Sequence, residues 1–157
     1  MVFEQEARIL SKVLHYLESL ISDDENEPEP TEFNMKFYCK KQPHITIPQY
    51  SQRIFKYSHC SPQCAVLALI YINQFLRNTA SSLNPFNVHR IIIVAFMLAD
   101  KFLHDEHLDN YSYACIGGIS LREVNTLERE FLQSLNFSLH VRSEIFEEFY
   151  HSIVVAP

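Results

Sequence analysis

Nine consecutive apolar residues, Ile91 to Ala99, stand in the middle of this chain of 157. The run is about half of the roughly 20 residues needed to cross a bilayer, so no membrane span is expected. Read as part of a helix over about 86–104, it has no polar side. Such a helix belongs at the centre of a domain, with others packed around it. Glycine usage agrees: Gly117 and Gly118 are the only two in the sequence, against a usual frequency of about 7%. Sandwiches, barrels and glycine-rich nucleotide loops need positive φ at their turns, so an all-α domain is expected. A globule of this length buries roughly 70% of its unfolded surface, enough for a core without metals or disulfides.

Helix starts are written into the sequence at regular intervals. Thr46-Ile47-Pro48, Ser61-Pro62 and Asn84-Pro85 each place a side-chain oxygen before a proline, and Ser120 precedes Glu123 by three residues. These are cap, first-turn proline and capping-box signatures. They predict helices over about 48–58, 62–79, 86–104 and 121–135, a short helix from Asn110 to about Cys115 that closes at the glycine pair, and a last helix over about 143–154. Ahead of them, Ile9, Leu10, Val13, Leu14, Leu17, Leu20 and Ile21 form a stripe on a helix over Glu4–Ile21. That stripe needs cover from the rest of the chain or from a partner. The expected organisation is a leading helix (1–21), an acidic connector and a following segment (22–42), and a helical domain (43–157).

The formal charge of −6 is concentrated in the connector, which holds Asp23, Asp24, Glu25, Glu27, Glu29 and Glu32 and no Lys or Arg. Without those six, the chain carries 13 acids against 13 Lys and Arg. A near-neutral folded part argues against a nucleic-acid footprint, which needs a basic face. Cys39, Cys60, Cys64 and Cys115 are too few and too irregular for a disulfide framework, and the amino terminus lacks a signal-peptide pattern. A reducing, intracellular setting is expected, in nucleus or cytoplasm.

The motifs at these helices resemble a single cyclin box over about residues 43–153, nearest to the P-type group (U-type in plants) that includes the fungal phosphate-responsive cyclins. Carrying the resemblance are Tyr50 to Tyr57, Cys60-Ser61-Pro62-Gln63-Cys64, Tyr71-Ile72-Asn73-Gln74-Phe75, Asn87 to Arg90, Ala99-Asp100-Lys101-Phe102-Leu103, Gly117 to Ser120 and Leu127 to Leu132. The resemblance implies a five-helix box around the central apolar helix, with extra helices at each end. It also implies a non-catalytic, cofactor-free activating subunit of a cyclin-dependent protein kinase of the phosphate-responsive type, with a small inhibitor protein as a further partner. By motif position Lys101 and Glu128 are the kinase-binding residues. Arg53 matches the box arginine whose usual partner is an aspartate; here that position is Asn73, and another acid is expected to compensate. Gln52 and Lys56 replace the first and last apolar residues of the substrate-docking motif of mitotic cyclins, so docking there is not expected.

Two other functions compete. Asp100, His104, Asp105, Glu106, His107 and Asp109 gather carboxylates and imidazoles within ten residues, and His104-Asp105 is similar to the central pair of HD-type metal phosphohydrolases. Such an enzyme also needs a further histidine and aspartate on the same metal; a solvated helix end is the simpler account. A cyclin-fold DNA-binding module is the other alternative, weakened by the near-neutral charge. Cys60 and Cys64 beside His59 lack a second pair for zinc. Lys36, Lys40 and Lys41 among Phe33, Phe37 and Tyr38 are expected to lie on an exposed segment, its aromatics beneath the leading helix.

Overall fold

The computed structural model describes residues 1–22, 29–32 and 34–155. Among them are seven α-helices: α1 (Val2–Ser19), α2 (Ile47–Ser58), α3 (Pro62–Asn78), α4 (Val88–Leu103), α5 (Asn110–Gly117), α6 (Leu121–Ser134) and α7 (Ser143–Tyr150). A 3₁₀ turn spans Met35–Phe37 and a π-helical turn His151–Val155. The described residues contain no β-strand, only an isolated bridge between Ile21 and Leu83. Asp23, Asp24, Glu25, Glu27 and Phe33 lie outside the described residues.

Three helix starts form as the sequence predicts. Thr46 and Gln49 make a reciprocal capping box, Ser61 Oγ accepts from Cys64 N at 3.1 Å, and Ser120 and Glu123 form a second box. The fourth differs. Asn84 and Asn87 each accept the other's backbone N–H with a side-chain oxygen, at 2.9 and 3.1 Å, and these bonds hold residues 84–87 in a turn. Helix α4 therefore starts at Val88, after that turn rather than within it.

From Val88 to Asp100 every residue of α4 except Arg90 is buried. Helix α3 runs along it, and α2, α5 and α6 cover its other sides. These five helices, α2 to α6, form the box. Helix α1 packs on α3 through Ile9, Val13 and Leu17, which belong to the same core. Its Tyr16 meets Phe149 of α7 edge to face, centroids 5.6 Å apart. The amphipathic stripe of α1 is thus covered from within the chain.

The segment after the connector departs from expectation. Phe37 is fully buried, 4.8 Å from Phe75 of α3 and 6.1 Å from Phe131 of α6, which stack on each other at 4.7 Å. It plugs the seam between α3 and α6 rather than lying under α1. Burying a phenylalanine is worth about 1.5–3 kcal/mol, enough to hold this segment on the domain. Lys36 pairs with Glu130 at 2.7 Å, while Lys40 and Lys41 are solvent-facing.

The two glycines do different work. Gly118 ends α5 at φ 67°, the left-handed region. Gly117 lies where a Cβ would come within 2.9 Å of Ile93 Cγ1 and 3.2 Å of Tyr50 Oη. Gly117→Ala should therefore cost about 1–3 kcal/mol by overpacking against α4, read as a lower urea midpoint with unchanged slope.

His89, in the first turn of α4, is buried, with Nε2 at 2.9 Å from Ile45 O and its ring against Tyr50. A carbonyl oxygen only accepts, so Nε2 carries the proton. Burial holds the imidazole pKa below its ordinary value, with the Ile45 bond opposing the shift. The neutral ring thus contributes stability that is present above about pH 6.5 and is lost as pH falls through the lowered folded value. Urea midpoints of wild type should drop more between pH 7.5 and 5.5 than those of His89→Gln.

Candidate functional site

Apart from Arg90 in its first turn, helix α4 surfaces only in its last turn, where two adjacent charged residues diverge. Successive residues on a helix point about 100° apart. Asp100 turns inward, accepts a hydrogen bond from the Tyr113 hydroxyl of α5, and lies 2.7 Å from His104 Nδ1. Burial foremost, and then the Asp100 bond, push the Tyr113 pKa far above the ordinary phenol value, so the phenol remains a donor. Lys101 turns outward. Its Nζ donates to Glu128 Oε2 of α6 at 2.7 Å and to Asn110 Oδ1, at the start of α5.

Asn110 completes a triangle. Its Nδ2 donates to Glu128 Oε1 at 3.1 Å and to Asn125 Oδ1 at 2.7 Å. Asp109 caps α5 by accepting from Ser112 N at 2.8 Å, a bond that lowers its carboxyl pKa. The side chains of Lys101 and Glu128 are 26% and 19% exposed, so both are anchored yet reachable. Next to Lys101 and Asn110 in the chain, Phe102, Leu103 and Tyr111 are 44%, 41% and 64% exposed. An oriented ion pair accompanied by solvent-facing apolar side chains is suited to a protein partner: polar groups for register, aromatic surface for affinity.

Lys101 and Glu128 are thus brought together as the sequence suggested, but Asn110 and Asn125 were not foreseen. Asparagine at a helix start reads first as a cap, and only the fold reveals this one as a bridge.

Arg53 and Asn73 are not brought together, and among the described residues no acid pairs with Arg53 in place of the missing partner. Arg53 donates from Nε to Ile116 O at 2.8 Å and from Nη2 to Cys115 O at 3.1 Å. The last carbonyls of a helix lack intrahelical partners and carry its negative dipole end, so α5 offers the guanidinium what a carboxylate would. Asn73 Nδ2 donates to Tyr16 Oη at 2.9 Å and ties α3 to α1.

Among the described residues no group of three or more His, Cys, Asp or Glu is placed to hold a metal ion, and Asp100 and His104 are engaged as above. Cys60 and Cys64 are free thiols. A bond to Cys64 foremost, and burial next, raise the Cys60 pKa, which favours the protonated thiol. No helix among the described residues is long and apolar enough to cross a membrane.

Comparison with known proteins decides the family. The cyclin family model matches residues 9–139. The chain belongs to the cyclin family. It is similar to cyclin-U4-1 of Arabidopsis thaliana, 39% identical over 150 residues, covering 90% of this chain and 74% of that protein. Cyclin-U3-1 of Arabidopsis thaliana is 49% identical over 110 residues, 70% of this chain and 50% of that one. Cyclin-P3-1 of Oryza sativa subsp. japonica is 43% identical over 110 residues, 70% and 47%. This cyclin therefore spans about three quarters of the first and about half of the other two. Its family match begins inside α1, which agrees with the packing of that helix into the core. Membership supports a regulatory rather than catalytic role.

In this cyclin the buried Asp100 carboxylate depends on Tyr113. Tyr113→Phe should cost about 1.5–3 kcal/mol, the worth of a hydrogen bond to a charged group, whereas Tyr111→Phe, on the exposed rim, should change stability by less than about 0.5 kcal/mol. Chemical denaturation of the two variants side by side checks this.

Proposed function

We propose that this cyclin activates a cyclin-dependent protein kinase of the phosphate-responsive type by docking the end of α4, the start of α5 and the adjoining face of α6 on the kinase's mobile regulatory helix. The supporting observation is the Lys101–Glu128 pair, fixed by Asn110 yet open to solvent, with Phe102, Leu103 and Tyr111 exposed next to Lys101 and Asn110 in the chain. Such kinases need a strand lysine paired with a glutamate on that mobile helix before ATP and magnesium are correctly held. A docking subunit shifts the equilibrium only by binding the inward arrangement more tightly. Lys101 would donate to backbone carbonyls of the kinase and Glu128 accept from its backbone N–H groups, while the apolar rim excludes water. On this reading the complex works in the nucleus or cytoplasm and is open to a small inhibitor protein.

Charge reversal tests the reading. Lys101→Glu should weaken binding to the cognate kinase on the order of 30-fold or more, since truncating one member of a desolvated interfacial pair costs about 2–5 kcal/mol. The swap Lys101→Glu/Glu128→Lys keeps an intrachain pair and should keep thermal stability, yet fail to restore binding or substrate phosphorylation, because each sign now faces the wrong kinase group. Wild-type affinity in the swap, or no binding of the wild type across a panel of cyclin-dependent kinases, would overturn the proposal.

A further inference from the structure

A cavity of about 350 Å³ lies on this cyclin between α2, the first turn of α4 and the end of α5. None of the described residues lining it is acidic, although the chain as a whole carries −6. Its charged lining is Arg53 and Arg90, and its titratable lining adds Cys39 from the segment before α2, Tyr50 from α2 and His89 from α4. Ile45, Ile116 and Ile119 supply an apolar wall.

The polar groups here are incompletely used. His89 is 7% exposed, and with Nε2 held by Ile45 O its Nδ1 has no partner among the described residues. Arg90 donates from Nη1 to Lys36 O at 2.9 Å and from Nη2 to Glu123 Oε1 at 3.0 Å, yet its Nε is buried without a partner among the described residues. Arg53 bonds α5 carbonyls through Nε and Nη2 and also lines the cavity. An orphaned buried polar group is costly, and here one buried donor, Arg90 Nε, and one buried acceptor, His89 Nδ1, belong to residues lining the same cavity. A neutral imidazole Nδ1 accepts, but it turns donor on protonation, and an adjacent anion favours the protonated form.

We propose that this cavity binds a small molecule bearing a phosphate monoester, whose oxygens take the free donors of Arg53, Arg90 and protonated His89 and whose organic part rests on the isoleucine wall. A dianion matches two arginines and one inducible positive charge better than a carboxylate does, and arginine is the side chain suited to it. The site is separate from the Lys101–Glu128 face, and the inference stands without the kinase reading.

Phenyl phosphate is the probe, titrated into the full chain at pH 7.5, where a phosphate ester is mostly doubly charged. Ring ¹⁵N spectra of His89 should change from the neutral to the protonated pattern as the probe saturates one site at or below about 1 mM. Phenol at equal concentration should leave the ring neutral. His89→Gln should weaken binding about tenfold or more, the usual effect of losing a hydrogen bond to a charged group. The proposal is overturned if the His89 ring stays neutral in the wild type, if phenol produces the same changes, or if His89→Gln binds phenyl phosphate like wild type. A phosphotyrosine peptide binding more than tenfold tighter than phenyl phosphate would also overturn it, by replacing the small molecule with a protein ligand.

Discussion

The enclosure of α4 from Ile91 to Asp100 governs the rest of the molecule. A helix without a polar side must be covered all round, and α2, α3, α5 and α6 supply that cover. Enclosure fixes the axis of α4 to within the tolerance of a close-packed core, and with it the direction in which each side chain of the last turn leaves. There the solvent boundary falls between two adjacent residues. Asp100 is held inside by Tyr113, and Lys101 emerges beside Asn110 and Glu128. The polar face follows from apolar burial one turn earlier.

Much of this was readable in the sequence because the signals were local. Thr46, Ser61 and Ser120 are short-range caps, and each starts a helix at the expected place. The apolar run of α4 demanded a central position whatever its neighbours were. The pairing of Lys101 with Glu128 came from resemblance alone, since no spacing rule joins residues 27 apart. What the sequence did not disclose was tertiary. Phe37 looked like one aromatic in a mixed basic segment, and only the gap between Phe75 and Phe131 makes it core. Asn84-Pro85 looked like a helix start, but the second asparagine, Asn87, closed a turn first. Asn110 looked like a terminus residue and became a bridge between α4 and α6.

The Arg53 arrangement shows how one substitution is absorbed. With Asn73 at the customary aspartate position, a guanidinium in the box would lack a charged acceptor. Instead its planar fork meets two successive carbonyls at the end of α5, where Tyr50 Oη donates to a third, Gly117 O, at 3.0 Å. The two bonds occupy Nε and Nη2 of the arginine and help to terminate the helix. Asn73, released from the pairing, is used to fasten α1. The same end of α5 carries both glycines, and Gly117 allows Tyr50 and Ile93 to approach closely enough for these bonds.

That the charged pair is already made inside the chain bears on how it would serve an interface. A partly exposed pair of this kind contributes little to folding, about 0–1 kcal/mol, so stability alone is a weak reason for so ordered a network. On the proposed reading its value would lie in association. A free lysine loses much of its rotamer freedom when a partner immobilises it, typically about 0.5–1.5 kcal/mol per side chain. Lys101 is ordered beforehand by Glu128 and Asn110, and two bonds leave one ammonium N–H unused. If the proposed docking holds, a kinase carbonyl would take that third donor without breaking either bond, and with less ordering cost than a free lysine would incur. Asn110 is therefore the residue on which the readiness of the face depends, although it carries no charge.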